Sequence, residues 1–229
     1  MNRNIIIKNE KKKVNFREIR IGNIAPNILY RSSHPIKENK QEKIISLLAT
    51  NVRIETVINL CDTKSGITRK ALFAPWYNRL LKNNKVLSMN FSTYGKNIRR
   101  KIKKALQFII ITDGPWLIHC HAGIDRTGFV CMIIESFMGA TLDDVINDYL
   151  ESFNSIFESS VHNQTNRADS LRAMQILLTM SNSQTINEQN LQKIATRYLQ
   201  NNVKLSPKEI ELLRMKLERT SIKNFKALI

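Results

Sequence analysis

Short apolar segments alternate with amphipathic segments over the first two-thirds of the chain. Residues 54–61 are rich in β-branched apolar residues, which predicts a short buried strand, and residues 85–91 and 116–119 predict two further strands. Residues 37–50 and 97–112 repeat their apolar side chains every three or four positions, which predicts two amphipathic helices. This alternation of strands with helices indicates an α/β domain.

Helical patterns continue from there to the C-terminal region. Residues 129–137 predict a helix with an apolar body, and Thr141 is the expected N-cap of the next helix. The last third of the chain has helical patterns only. Ser206, Pro207 and Glu209 predict the start of a further helix, because Ser caps, Pro suits the first helical position and Glu can close a capping box.

We therefore expect three segments. Residues 1–13 are polar and basic and predict a flexible lead-in. Residues 14–160 predict the α/β core, and residues 161–229 predict a helical C-terminal extension that packs on it. The chain has 229 residues, of which 42% are hydrophobic, and this is enough for one hydrophobic core.

The chain is strongly basic. Its 36 Lys and Arg against 19 Asp and Glu give a net charge of +17. Such a surface attracts anions, so a phosphorylated substrate, an acidic lipid or RNA is an expected partner, with compositional drift towards Lys as the alternative. Five cations lie on the polar side of the 97–112 helix, and a solvated helix face explains them most simply: Arg99, Arg100, Lys101, Lys103 and Lys104.

The number of cysteines and the length of the apolar stretches indicate the cellular compartment in which the protein is expected. Cys61, Cys120 and Cys131 are too few, and odd in number, for a disulfide framework, so a reducing environment fits. The N-terminus has no signal-peptide core, and no apolar stretch is long enough for a transmembrane segment. We expect a monomeric protein that is cytoplasmic, or exported without a cleaved signal peptide.

The candidate chemistry lies in the segment from His119 to Gly128, which reads His-Cys-His-Ala-Gly-Ile-Asp-Arg-Thr-Gly. A Cys followed six positions later by an Arg is a weak signal, but glycines at the third and eighth positions after the Cys make the match specific. The other two cysteines fail this spacing. A strand is predicted to end at Cys120 and a helix to begin at Arg126, which is the context that a phosphate-binding loop needs.

The residues of this loop have expected roles. Its backbone N–H groups would surround one phosphate and stabilise the thiolate of Cys120, and they belong to His121, Ala122, Gly123, Ile124, Asp125 and Arg126. The Arg126 side chain can bind two phosphate oxygens at once. Cys120 would attack phosphorus to form a phosphocysteine that water hydrolyses, and Thr127 would donate a hydrogen bond to the departing sulfur. This chemistry needs no cofactor.

The loop resembles that of the protein tyrosine and dual-specificity phosphatase superfamily. It is similar in particular to the bacterial atypical phosphatases whose loop reads Cys-x-Ala-Gly-Lys-Asp-Arg-Thr-Gly. The resemblance covers roughly residues 15–219 and includes the segments Asn15–Glu18, Leu29–Ser32, Thr56–Leu60, Asp148–Leu150, Tyr198–Leu199 and parts of 205–217. It implies the cysteine-phosphatase fold, with a central, mostly parallel sheet flanked by helices, and a phosphotyrosine protein as substrate.

Two positions depart from that branch. Ile124 stands where its loop has Lys, and loop lysines help to hold polyanionic headgroups in this branch and its lipid-directed relatives. Cys61 stands where the branch usually has Arg. The first departure weakens a phosphoinositide interpretation, and the second leaves any role of that Arg open.

The general acid is less plain from the sequence. Many superfamily members carry an Asp on a mobile loop before the Cys, but residues 90–96 contain no carboxylate. The nearest candidates before Arg126 are Asp62, Asp113 and Asp125. Asp113 lies in a predicted turn, and Asp62 follows a predicted strand. The resemblance implies that Asp125, inside the loop, is the acid, and a carboxylate that only orients its neighbours is the alternative.

Two histidines flank the nucleophile candidate. We expect His119 to hydrogen-bond backbone beneath the loop and to tune the thiolate, and His121 to take part in phosphate binding. No further Cys or His lies at ligand spacing from them, so no metal site is predicted.

Three functions remain open at this point. The first is a protein tyrosine or dual-specificity phosphatase. The second, favoured by the basic charge, is a phosphatase of phosphoinositides, inositol phosphates or RNA 5′-phosphate ends. The third, favoured by the missing mobile acid, is a pseudophosphatase that binds phosphoproteins without turnover. The intact Cys120, Arg126 and Thr127 argue against the third.

Overall fold

The computed structural model describes residues 13–36, 40–72, 74–93, 95–156, 165–182 and 185–218. Within these ranges lies a five-stranded sheet made of β1 (Arg17–Glu18), β2 (Leu29–Ser32), β3 (Thr56–Asn59), β4 (Val86–Ser88) and β5 (Trp116–His119). The strand order across the sheet is β1-β2-β5-β3-β4, and only β1 runs antiparallel to its neighbour. The expected α/β fold with a mostly parallel sheet is therefore confirmed.

The described residues also form nine α-helices. In chain order they are α1 (Lys40–Asn51), α2 (Lys64–Ala71), α3 (Pro75–Lys82), α4 (Ile98–Ile111), α5 (Asp125–Phe137), α6 (Leu142–Ile156), α7 (Thr165–Ser181), α8 (Leu191–Asn201) and α9 (Pro207–Glu218). None of these described helices is both long and apolar enough to cross a membrane.

The helices cover the two faces of the sheet with two separate sets of apolar side chains. Val57 of β3 and Leu117 of β5 point to the face that α1 and α3 cover. Their neighbours Ile58 and Ile118 point to the opposite face and pack with α4 and α5. Because side chains alternate along a strand and both faces are buried, the two central strands read as continuous apolar runs.

The predicted elements are present, with small shifts at their ends. β3 and β4 are shorter than the predicted segments 54–61 and 85–91, whereas β5 covers 116–119 as predicted. The helix with its predicted start at Arg126 and its predicted apolar body over residues 129–137 begins one residue earlier, at Asp125. Its first turn is already closed by a hydrogen bond from the Gly128 amide to the residue before Asp125.

Four elements were not predicted from the sequence, namely β1, β2, α2 and α3, and β1 has only two residues. β2 contains Arg31, whose side chain is fully buried, and a charged residue in a four-residue strand obscures the apolar pattern of a buried strand. α2 and α3 have eight residues each, which is too short for a helical period to stand out. The predicted lead-in, apart from Lys13, lies outside the described residues.

The last two helices pack on the sheet domain. α8 lies against α5 and α9 against α4, and Leu199 and Leu213 are fully buried there. The predicted capping box is present, because the Ser206 amide donates to the Glu209 carboxylate at 2.7 Å and the Glu209 amide donates to Ser206 Oγ at 3.2 Å. The division of the chain at residue 160 stays a prediction.

Candidate active site

The loop of residues 120–124 joins the carboxyl end of β5 to the N-terminus of α5. Since β5 lies in the middle of the sheet, the loop emerges where the carboxyl ends of the parallel strands meet. Cys120 is buried at its start, with 3% of its surface exposed. Arg126 lies in the first turn of α5, with Nη1 3.4 Å from the carbonyl oxygen of Leu60. The predicted strand–loop–helix context is thus present.

The carbonyl groups of the loop are tied to the surrounding protein. The carbonyl of His121 accepts a hydrogen bond from the His34 amide at 2.9 Å. The next two carbonyls accept from the side-chain amide of Asn15 at 3.3 and 3.1 Å, and the second also accepts from Arg31 at 2.8 Å. The C=O and N–H groups of a trans peptide point in opposite directions, so the amides of residues 122–124 face away from these partners, as an anion-binding loop requires.

Two glycines allow close packing around the loop. Gly123 has a φ of +74°, and a Cβ atom there would lie 2.5 Å from the carbonyl oxygen of Ser32. A Cβ atom on Gly128 would lie 2.6 Å from the ring of Tyr149, so α5 can approach α6 this closely only without a side chain at that position. Steric contacts therefore explain why both positions of the motif are occupied by glycine.

A buried group of charged residues, here called the Arg17–Arg31–Asp148 cluster, supports the loop from below. Arg17 donates to Asp148 Oδ1 at 2.8 Å and to Ser152 Oγ at 2.9 Å. Arg31 forms an ion pair with the other carboxylate oxygen of Asp148 and also donates to the loop. Arg17 in addition donates to the side-chain oxygen of Asn15, which orients the amide that Asn15 presents to the loop.

The charges of the cluster are balanced only when Glu151 is counted, because this exposed carboxylate lies 3.6 Å from Arg17 Nε. Burial would raise the pKa of Asp148, but the charges of Arg31 and Arg17 outweigh it and hold that pKa below its ordinary value. Burial, and then the charge of Asp148, raise the pKa of the neighbouring Glu135 well above its ordinary value, so Glu135 is neutral. The two guanidinium groups therefore share the Asp148 carboxylate, and Arg17 also pairs with Glu151.

The Asp148→Asn variant should be strongly destabilised. It keeps the shape of the side chain but leaves the guanidinium groups of Arg17 and Arg31 without a buried anion. We expect the free energy of unfolding to fall by ~3–5 kcal/mol, measured by urea denaturation at neutral pH. The folded-state pKa of Asp148 is lowered. The difference in free energy of unfolding between the parent protein and the variant should therefore shrink as the pH falls below the ordinary carboxyl pKa of about 3.9.

Asp143→Asn is the matched control, because Asp143 lies on the same helix and is exposed. Its effect should stay within about 1 kcal/mol. Equal stabilities of the two variants would mean that the buried cluster does not stabilise the fold.

His119, the last residue of β5, is fully buried and has a polar contact at each ring nitrogen. Its Nδ1 atom lies 3.3 Å from the Cys120 carbonyl oxygen, which is the predicted backbone contact. Its Nε2 atom lies 3.2 Å from the hydroxyl of Tyr77, which in turn accepts from the side-chain amide of Asn59 at 3.1 Å. Burial, and then the charge of His34, lower the pKa of His119 well below its ordinary value, so the ring is neutral.

Asp62 is held as a carboxylate by four donors, one of which is the Cys61 thiol at 3.5 Å from Oδ2. His34 and Asn59 contact its Oδ2 atom at 2.8 and 3.0 Å, and Lys70 donates to Oδ1 at 3.0 Å. Burial would raise the pKa of Asp62, but these hydrogen bonds outweigh it and hold the pKa below its ordinary value. A carboxylate that is ionised at neutral pH has no proton to donate, which argues against Asp62 as the general acid.

One group of metal-ligating side chains occurs in the described part of the chain. His34, Cys61 and Asp62 place one potential ligand atom each within 4.8 Å of one another, and all three are buried. Their atoms already contact each other, because the Cys61 Sγ atom lies 3.5 Å from the carboxylate that His34 also contacts. Burial, and then the charge of Asp62, raise the pKa of the Cys61 thiol, so it is protonated and a poor ligand. We assign no metal to this group.

The predicted loop residues lie together, whereas the acid candidate Asp113 lies apart from them. Asp125 begins α5 and has 65% of its side chain exposed. Thr127 is fully buried, and its hydroxyl makes no hydrogen bond within the described ranges. Ile124 is buried at the N-cap of α5. Asp113 precedes β5 at the amino ends of the parallel strands and pairs with Lys216 at 2.9 Å, and its role as a turn residue stays a prediction.

The family profile described as the tyrosine phosphatase family matches residues 11–219, which is most of the chain. The chain belongs to this family. It is therefore a cysteine-based phosphatase that hydrolyses phosphoric monoesters, and its substrate is phosphorylated. No curated protein matches the chain significantly.

Solved structures also match this tyrosine phosphatase family member. One is the core catalytic domain of the PP-IP phosphatase SIW14 from S. cerevisiae in complex with citrate, with 19% identity, a TM-score of 0.39, and coverage of 68% of this chain and 95% of that one. A second structure of the SIW14 catalytic core has 18% identity, a TM-score of 0.40, and coverage of 82% and 96%. Because these identities are low, the profile match is the basis for family membership. The sheet described above is the basis for the fold.

Several residues around the phosphatase loop were not predicted. Arg17 and Asp148 are 131 residues apart, and nothing in their spacing indicates that they meet. The segments around them were recognised only as part of the family resemblance. Arg172 of α7, whose Nη1 atom lies 3.9 Å from Asp125 Oδ1, has no sequence signal that connects it to the loop.

Proposed function

We propose that the protein is a protein tyrosine or dual-specificity phosphatase that works through a phosphocysteine on Cys120. The observation that supports this best is the loop, which has a buried Cys at its start, carbonyl groups bound outward and Arg126 in the first helical turn. Amides and a guanidinium that converge on one place stabilise the charge of a phosphoryl group in the transition state.

Cys120 is the nucleophile in this proposal. Burial raises the pKa of both Cys61 and Cys131, so these two are neutral thiols at neutral pH. In the first step the Cys120 thiolate attacks phosphorus, and an S–P bond forms while the bond from phosphorus to the ester oxygen breaks. Asp125 donates its proton to that oxygen, and Arg126 binds two of the remaining phosphate oxygens.

In the second step water hydrolyses the phosphocysteine. Asp125, now a carboxylate, takes a proton from the water as its oxygen attacks phosphorus, and the S–P bond breaks to return the thiolate. The Thr127 hydroxyl donates a hydrogen bond to the departing sulfur. This role fits a buried hydroxyl that has no hydrogen-bond partner in the part of the chain that the structure describes.

The proposed substrate is phosphotyrosine in a protein. We further propose that the enzyme acts as a monomer, in the cytoplasm or after export without a cleaved signal peptide. Its three cysteines are buried and free, which fits a reducing compartment.

A substrate panel tests this function. It contains an activated aryl phosphate, a phosphotyrosine peptide, a phosphoinositide in phosphatidylcholine vesicles and an RNA with a 5′-phosphate. The aryl phosphate and the peptide should be hydrolysed with release of inorganic phosphate. A folded protein that hydrolyses no aryl phosphate at any pH would refute the proposal.

The +17 charge favours a second candidate, a phosphatase of a polyanion such as an inositol phosphate, a phosphoinositide or an RNA end. On α4 the cations Arg99, Arg100 and Lys104 are exposed. Lys101 and Lys103 donate instead to backbone carbonyls of neighbouring segments, so only part of this basic run can bind a ligand.

The same panel, measured at two salt concentrations, separates the two candidates. If the basic surface recruits a polyanion, kcat/KM for that substrate should fall by about tenfold or more between 50 and 200 mM salt, roughly as counterion release predicts. The small aryl phosphate should respond much less. A variant with Arg99, Arg100 and Lys104 changed to Gln isolates the contribution of α4. Equal salt responses for all substrates would leave the charge without a role in substrate recruitment.

A further inference from the structure

A cleft opens at Asp125, where the phosphate-binding loop passes into α5. It has a volume of about 100 Å³ and lies between α5, α6, α7 and the segment after β4. Its lining combines apolar and polar side chains and consists of Thr93, Asp125, Phe129, Tyr149, Arg172, Gln175, Ile176 and Thr179. Four of these residues come from α7, so this helix of the C-terminal region forms one side of the cleft.

The lining contains one cation and one carboxylate, and these two face each other. Nη1 of Arg172 lies 3.9 Å from Oδ1 of Asp125, and the two side chains are 55% and 65% exposed. An exposed pair at this distance contributes little to stability. A ligand in the cleft can therefore reach the guanidinium and replace its partner at small cost.

The proposed mechanism places the leaving group of the substrate in this cleft. Cys120 attacks phosphorus from one side, and the ester oxygen departs on the other side, where Asp125 must reach it to donate a proton. Because Asp125 lines the cleft, the rest of the substrate beyond that oxygen enters the same space. An aromatic ring would then contact Phe129 and Tyr149.

We propose that Arg172 is a substrate-binding residue that selects leaving groups with a second anionic group, a carboxylate or a phosphate, close to the scissile ester. This inference rests on the proposed function, because it uses Asp125 as the acid. When Asp125 carries the proton it will donate, it is neutral, and Arg172 loses its partner. An anion on the substrate restores that pairing in the complex that reacts.

The experiment compares three phenyl phosphates that differ only at the meta position, which carries a carboxylate, a phosphonate or a neutral carboxamide. For each one, kcat/KM is measured with the parent enzyme and with Arg172→Gln. Intrinsic differences in leaving-group reactivity cancel when the preference for the anionic over the neutral substrate is compared between the two enzymes. We expect Arg172→Gln to lower that preference by about 5- to 10-fold for the anion that Arg172 binds. The carboxylate and phosphonate arms show which anion this is.

Arg197→Gln on α8 is the control, since Arg197 is exposed, lies outside this cleft and loses the same charge. Its preference should match that of the parent enzyme. An equal loss in both variants would assign the effect to overall charge, and an unchanged preference in Arg172→Gln would also overturn the inference. Either result can be obtained only from an enzyme that turns over phenyl phosphates. Absence of turnover with all three substrates would instead be a failure of the proposed function itself.

Discussion

Replacement of Cys120 by Ser is expected to abolish turnover and to leave phosphate binding intact. The hydroxyl needs a base to become a nucleophile, and His119 contacts Cys120 through the carbonyl oxygen. The loop carbonyls bonded to Asn15 and Arg31 do not depend on the sulfur, so the amides that bind phosphate should keep their places. We expect kcat to fall by at least about 10⁴-fold. Steady-state assays with an aryl phosphate and calorimetric titration with vanadate or phosphate measure the two quantities.

Arg126→Lys tests how the same site binds the phosphate group, whereas Cys120→Ser tests the nucleophile. A lysine keeps the charge but cannot bind two phosphate oxygens in one plane, so kcat/KM should fall by at least about 10²-fold. Arg99→Lys on the exposed face of α4 is the matched control and should leave kcat/KM for aryl phosphates unchanged. Retained turnover in Cys120→Ser would exclude the phosphocysteine mechanism altogether.

Asp125→Asn is expected to act selectively on poor leaving groups. A tyrosine phenol has a pKa near 10 and leaves slowly without a proton, whereas an activated nitrophenol needs little help. Loss of the proton donor should therefore lower kcat for phosphotyrosine by about 10²-fold or more, and much less for the nitrophenyl ester. The basic limb of the pH–rate profile, where a proton donor loses its proton, should flatten as well.

Two comparisons make the Asp125 test decisive. Asp125 could instead orient its neighbours in the loop, and its replacement would then lower the rates for good and poor leaving groups by the same factor. Asp62→Asn should show no leaving-group dependence, because Asp62 is already ionised and is bound by His34, Asn59 and Lys70. If Asp62→Asn alone showed that dependence, the acid would be Asp62.

The sequence by itself determined the chemistry of the site. Cys120, Gly123, Arg126 and Gly128 lie within nine consecutive residues, and a Cys and an Arg at the two ends of an anion-binding loop require only a strand, a tight loop and a helix in succession. The flanking elements could be predicted for the same reason, since a β-branched run or a helical period is a local property. The capping box at Ser206 is local too, and it forms as predicted.

Only the tertiary structure decided what surrounds that loop. Asn15, Arg17, Arg31 and Asp148 are distant in sequence, and β2 places the buried Arg31 under the loop although its charge hides the strand in the sequence. Arg172 reaches Asp125 because α7 packs beside α5. The physical reason is that a periodic pattern records which face of an element is buried, but not which distant element covers it. Contacts between charged groups far apart in the chain depend on that arrangement, and in this protein they support the phosphate loop and line the cleft beside it.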